Sequence, residues 1–355
     1  MGPDFRLDEA QETVARLAGE VLDGNADTPE RAWKALGQAG LLSLAVPSRL
    51  GGSGLGMLEV GLVLTEVGRR AVAVPALSTL ALGVLPVARW GAPGQQRELL
   101  AGVGEGRVLT AAVSEPSDPL PVSPRTTATA DWRITGTKTG VPYAAEAHRI
   151  LVPARVSGGG VAVVVVDPAA GGVSLRRTPN SGGTPEYSVR LDGVAAQPLG
   201  DDTDGGCARD LHRFAVAGAC AVGDGALAGA LRLTSEHVRT RHQFGRPLAA
   251  FQAVAQQIAD VYVTARTLHL AVLAACWAAG TGRPADDDLW IAAHWLTAEA
   301  PPAVRSCHHL HGGLGLAADY PLHRHSSLIR DLVRFLGGAE HCLQRLGGRV
   351  AHRPD

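Results

Sequence analysis

Aromatic residues are scarce in this chain. Phe, Trp and Tyr make up 4% of its 355 residues, which leaves few rings on which nucleic-acid bases could stack. Charge imbalance is missing too: 33 Lys and Arg face 34 Asp and Glu, for a formal net charge of −1. A chain so near neutrality exerts no general pull on a polyanion or an anionic bilayer, so an acidic ligand must be met by local charges. Paired cysteines are also lacking. Cys207, Cys220, Cys276, Cys307 and Cys342 are scattered, odd in number and form no CxxC, which fits reduced thiols rather than a disulfide framework. The His308, His309 and His311 cluster matches no usual ligand spacing, so no metal is expected. No uninterrupted apolar run reaches the ~20 residues of a membrane span. The opening Met1-Gly-Pro-Asp-Phe-Arg6 is not built as a signal peptide. These absences point to a cytoplasmic protein with neither nucleic acid nor membrane as partner.

What is present is aliphatic. With 46% hydrophobic residues, the chain can bury a substantial core divided among two or three domains. Residues 1–106 read as helices. Thr28-Pro-Glu-Arg31 is a helix start with a hydroxyl cap and proline at the first helical position, and a second helix spans Leu58 to Arg69. Gly52-x-Gly54-x-Gly56 follows no strand–turn–helix unit with a downstream acid, so it reads as a turn and not as a phosphate loop. Over residues 107–205 the texture becomes β-rich. Val108–Val113, Trp132–Thr135, His148–Val152, Val161–Val166, Val173–Arg177 and Tyr187–Leu191 are separated by Gly, Pro, Asn and Asp, the mark of an antiparallel sandwich or barrel. Val161–Val166 is apolar on both faces and must be covered on both. Over residues 206–355 the chain is helical again, with Val254, Ile258, Val261, Ala265 and Leu268 forming an amphipathic stripe. Composition alone gives α+β.

Two stretches carry more. Arg239-Thr-Arg-His-Gln-Phe-Gly-Arg-Pro-Leu248 is followed by Phe251-Gln252 and Ile258-Ala-Asp260. Some seventy residues on come His309-Leu-His-Gly-Gly-Leu-Gly315 and Tyr320-Pro-Leu-His-Arg324. Together they resemble the C-terminal domain of the acyl-CoA dehydrogenase family. The resemblance implies an N-terminal helical domain, a middle β domain and a C-terminal four-helix bundle. It also implies an FAD cofactor, an acyl-CoA or acyl-carrier-protein thioester as substrate, an electron-acceptor flavoprotein, and a homo- or hetero-oligomer in which FAD sites straddle subunits.

By that resemblance Arg241 reaches the FAD pyrophosphate, for which a guanidinium's fork of donors is suited. Phe244 supplies an apolar wall, Gln252 lies near the adenine, and His309 stands where the family has a glutamine contacting FAD. Gly312 and Gly313, on a turn that the resemblance assigns to a neighbouring subunit relative to Arg241, let backbone approach the ADP portion. Ala112-Val-Ser-Glu-Pro116 resembles the family's Thr-Glu-Pro turn, so Val113 and Ser114 face the flavin ring and substrate. Gly136-Thr-Lys138 matches a Gly-x-Lys hairpin. The Trp-x-Thr that packs on the flavin falls on Gly140, Val141 and Pro142, where a glycine cannot stack and a proline cannot donate.

The base departs furthest. One family position for the catalytic glutamate falls on Gly337 or Gly338, and the other near Phe214-Ala215-Val216. Glu340, Asp210 and Asp224 are the nearby acids that could substitute, since a carboxylate in an apolar cavity has the raised pKa that α-proton abstraction uses. Glu340 also reads as a first-turn acid complementing a helix dipole, and Asp210 as a solvated cap. The histidines at 311, 323 and 325 read as local replacements. Three functions stay open: an active dehydrogenase with a relocated base, the base-less subunit of a heteromeric dehydrogenase, and a redox-neutral or non-catalytic thioester-binding homologue. Some bacterial members of the family, including ones acting on sterol side chains, are assembled in the second way.

Overall fold

The computed structural model describes residues 5–25 and 28–351. Helices come first: α1 (Glu9–Asp23), α2 (Pro29–Gln38), α3 (Met57–Arg70), a π-helical stretch Leu77–Val84 running into α4 (Leu85–Trp90), and α5 (Pro93–Leu100). A capping box starts α1, in which the Gln11 N–H donates to Asp8 Oδ1 at 2.8 Å and the Asp8 N–H donates to Gln11 Oε1 at 3.1 Å. Thr28 departs from expectation. It stands before Pro29 at the start of α2, but its hydroxyl makes no capping hydrogen bond.

Eight strands follow: β1 (Leu109–Ala111), β2 (Thr127–Ala128), β3 (Arg133–Pro142), β4 (Arg149–Val156), β5 (Val161–Val166), β6 (Val173–Arg177), β7 (Glu186–Ala195) and β8 (Gln197–Pro198). They form one sheet ordered β6-β7-β3-β2-β4-β5-β8, with β1 also beside β4. Most pairings are antiparallel, whereas β1 and β2 both run parallel to β4. The apolar run of β5 has a structural reason. Val163 and Val165 belong to the helical core, while Val164 and Val166 fill the separate core of the sheet.

The last third comprises α6 (Gly206–Thr240), the hairpin β9 (His242–Gln243) and β10 (Arg246–Pro247), α7 (Gln252–Gly280), α8 (Asp286–His311), α9 (Leu322–Phe335) and α10 (Gly338–Val350). By length and composition α6 and α7 could each cross a membrane, but 89% of the apolar window of α6 is buried within the fold. It is the central helix, and α3 lies directly on it. A Cβ at Gly225 would come 1.8 Å from the Thr65 carbonyl oxygen, and one at Gly68 would come 2.0 Å from that of Val222. Only glycine permits that approach. It locks the N-terminal helices to the C-terminal bundle and leaves a cavity between them and the sheet.

Candidate functional site

The cavity measures about 1180 Å³. Val67, Val72, Val74 and Leu77 from the N-terminal helices give it an apolar side, joined by Val222 of α6 and Leu332 of α9. The 114–119 loop, the 139–143 end of β3 and the 180–184 loop close the opposite side. The 180–184 loop is pinned to α9, because Asp331 accepts the Ser181 N–H at 2.8 Å and the Gly182 N–H at 2.7 Å.

The wall expected to face a flavin ring is unusual. Ser114 lines the cavity, and its carbonyl accepts the Thr139 N–H at 3.0 Å, whereas Val113 is buried in the helical core. Gly140 and Pro142 line the cavity, while Val141 turns into the sheet core. Gly140 has a φ of +64°, and a Cβ there would come 3.7 Å from Arg334 Nη1 and 3.9 Å from Glu186 Oε1. Those two residues form a double ion pair, with Nη1–Oε1 at 3.0 Å and Nη2–Oε2 at 2.6 Å. Where the family resemblance places an indole, this chain places an ion pair.

The vacated base loop is shaped against a return of the glutamate. Gly337 and Gly338 have φ of +85° and +84°, and a Cβ at Gly337 would meet Pro119 Cγ at 2.6 Å and His341 Cδ2 at 2.9 Å. At Gly338 nothing lies within 4 Å. The other base position, Ala215, is fully buried among the helices, outside the cavity.

The three acids named as substitutes also lie outside it. Asp210 accepts the Trp90 Nε1–H at 3.0 Å and pairs with Arg89 at 2.9 Å and Arg213 at 3.2 Å, tying α6 to α4. That is a structural assignment rather than a solvated cap. Asp224, 3% exposed, bonds His269 Nδ1 at 2.9 Å between α6 and α7. Glu340 is exposed in the first turn of α10 and does not line the cavity, which leaves it as a dipole-complementing acid. Sequence reading missed the carboxylates that do line the cavity: Glu115, Asp118, Glu186 and Asp331. Glu115 forms a buried ion pair with Lys138 at 2.8 Å and accepts the Thr126 hydroxyl at 2.7 Å. Burial pushes its pKa up, but the Lys138 charge and these hydrogen bonds prevail and bring it down to about 2. Asp118 is the one cavity carboxylate whose side chain makes no hydrogen bond or ion pair among the described residues. The signal that could have found it is its place in the shortened loop after Glu115-Pro116.

The other group of predicted residues gathers at the end of the bundle. Arg241 ends α6, exposed and without an ion pair among the described residues. Phe244, at φ +52° in the β9–β10 turn, is 91% exposed, edge-on to Phe251 with centroids 6.2 Å apart. Gln252 is exposed at the first position of α7, and His309 is exposed on α8. Gly312, at φ +58°, and Gly313 present bare backbone, with nothing within 4 Å of a Cβ at either. His237 and His311 stack with centroids 4.5 Å apart, which brings the ends of α6 and α8 together. Arg241 is one helical turn past His237, and Gly312 is the residue after His311. Arg241 and the Gly312–Gly313 turn, both assigned to the dinucleotide by resemblance, therefore share one corner of one protomer, and none of these residues lines the cavity. An unpaired guanidinium beside open glycine backbone fits a dinucleotide diphosphate. Gly140-Val141-Pro142 does not fit a stacked flavin ring.

This architecture, helices flanking a curled sheet with a cavity between helices and sheet, defines the class. Residues 210–351 match the family model "Acyl-CoA dehydrogenase, C-terminal domain" and residues 7–107 match "Acyl-CoA dehydrogenase, N-terminal domain". The chain is 45% identical over 348 residues to acyl-CoA dehydrogenase FadE28 of Mycobacterium tuberculosis, covering 98% of this chain and 99% of that one. It is similar to a solved structure of the ChsE4–ChsE5 complex from Mycobacterium tuberculosis, at 32% identity and a TM-score of 0.91, over 99% of this chain and 100% of that one. A steroid ACAD variant, Tcur3481–Tcur3483, matches at 33% identity and a TM-score of 0.89, over 97% of this chain and 98% of that one. The chain belongs to the acyl-CoA dehydrogenase family.

Proposed function

We propose that this chain is the cofactor-completing, base-less subunit of a heteromeric FAD-dependent acyl-thioester dehydrogenase. The observation that carries the reading is a division within the chain. The bundle end offers an unpaired Arg241 beside bare Gly312–Gly313 backbone, while the base loop carries Gly337–Gly338 and the ring wall carries Gly140. In such an assembly Arg241 and the Gly312–Gly313 turn would hold the diphosphate and ADP portion of FAD, with Phe244 as an apolar wall and Gln252 near the adenine. Bound FAD would supply the acceptor for the β-hydride, with an electron-acceptor flavoprotein as the external partner. The α-proton goes to a carboxylate of the partner.

The relatives named for a steroid ACAD and a two-protein complex support a steroid-derived acyl thioester as substrate and a related chain as partner. The apolar cavity wall suits such a body, on CoA or on a carrier protein.

A second reading rests on Asp118. A free carboxylate in the cavity could serve as a relocated base, which would make the chain active alone. Expression alone and together with a related base-bearing chain, followed by absorbance spectra, separates the two. Under the first reading the single chain is colourless and the pair is yellow. A yellow single chain that bleaches anaerobically with its acyl thioester would overturn it.

A further inference from the structure

The corner that carries Arg241 holds a histidine pair with no part in the site described so far. His311 is fully committed. Its Nδ1–H donates to the Cys307 carbonyl at 2.8 Å, so the neutral ring presents Nε2 as an acceptor, and the Tyr320 hydroxyl donates to it at 3.0 Å. His237, stacked upon it, makes no hydrogen bond through either ring nitrogen among the described residues. It lies one helical turn before the unpaired Arg241. The bare Gly312 backbone begins immediately after His311, so a free imidazole, a free guanidinium and an open turn share one corner.

We propose that His237 is the second cation of the diphosphate site at Arg241, uncharged while that site is empty and protonated when a dinucleotide diphosphate lies against it. The inference rests on the assignment of the FAD diphosphate to Arg241. Arg241 of α6 acts on the imidazole and His311 of α8 stacks on it; one layer out, His308 acts on His311, and Glu236 and Arg232 of α6 act on Tyr320, whose carbonyl bonds Nδ1 of His323 of α9 at 2.8 Å. Burial, and then the Arg241 charge, hold empty His237 below the usual imidazole range. A diphosphate reverses the second influence, because it offsets the guanidinium and offers an oxygen to the N–H. His311 cannot take that proton as readily. Burial keeps it neutral, and its two nitrogens are already engaged. Ligand binding thus takes up one proton, and by linkage affinity rises as pH falls.

The test is a titration of FAD into the flavin-stripped full chain, alone and in the assembly with which it co-purifies. The diphosphate diester of FAD keeps its charge between about pH 8 and about pH 6, so any slope comes from the protein. The dissociation constant should fall about tenfold over that range. His237→Phe, which keeps a ring against His311, and His237→Gln, which keeps a neutral polar group, should both flatten the slope. Riboflavin, which lacks the diphosphate, should show no slope. A slope surviving in both His237 variants overturns the inference while leaving the Arg241 site standing. Equal FAD affinity in Arg241→Ala overturns the site itself.

Discussion

The two ends of α9 teach opposite lessons. Ahead of its start, the Gly312–Gly313 turn that closes α8 shares a corner with Arg241, where an exposed cation and open backbone are presented. Just past its end, Gly337 is packed against Pro119, and the ring wall is backed by the Arg334–Glu186 pair. One region presents open backbone and an exposed cation. The other keeps a cavity whose base loop and ring wall carry glycine. Under the proposed function, that difference is a division of labour between chains.

The hardest blow to this comparison is struck at the receiving end. Arg241→Ala in the co-expressed assembly should abolish retained flavin, read as loss of visible absorbance after gel filtration. The neighbouring cations are engaged elsewhere, Arg232 with Glu236 at 3.9 Å and Arg246 over the Phe251 ring at 4.1 Å, so neither replaces a bidentate diphosphate contact. Unchanged flavin content would remove the receiving role altogether.

The cavity end is broken through its frame. Lys138→Met strands the Glu115 carboxylate, whose partner ammonium is fully buried, and should cost about 3–5 kcal/mol in urea unfolding. The pH dependence carries a definite sign. The Glu115 pKa is depressed from 4.5 to about 2, so its stabilisation is present above 4.5 and is lost as pH falls toward about 2. In Lys138→Met that depression is relieved, so the stability Glu115 withdraws on acidification should shrink and the deficit against the parent chain should narrow as pH falls.

A finer contrast lies within the base loop. Gly337→Ala and Gly338→Ala each put a side chain at positive φ, at a cost of about 1 kcal/mol. At 337 the new Cβ also meets Pro119 and His341, whereas at 338 it meets open space. Thermal unfolding should therefore rank Gly337→Ala as the less stable by roughly 1–3 kcal/mol. Equal stabilities would mean that the loop is not closed against a glutamate by packing.

Much of this was legible in the sequence, for physical reasons. The helix–strand–helix order follows from periodicities of 3.6 and 2, and the solid apolar run 161–166 announced a strand between two cores, which β5 is. The glycines at the expected base position were legible through the family resemblance, because an absent carboxylate needs no coordinates. Its substitutes were not, since chain proximity placed Asp210, Asp224 and Glu340 near the vacated positions while helix phase turned each away from the cavity. Asp118 and the Arg334–Glu186 pair come from segments distant in sequence, so only packing reveals them. The His237–His311 stack joins residues 74 positions apart.

The smallest expected effect is the most discriminating. Asp118 lies in the cavity with its carboxylate unengaged, and Lys138, His341 and Arg345 all feel its charge. If the cavity of this chain takes no part in proton abstraction, Asp118→Asn in the assembly should leave turnover of an acyl thioester within about twofold, a difference of less than ~0.5 kcal/mol in the barrier. A base removed from its reaction costs ~10²-fold or more. A loss of that size, with flavin content unchanged, would return the chemistry to this chain, because retained flavin excludes collapse of the fold or the assembly as the cause.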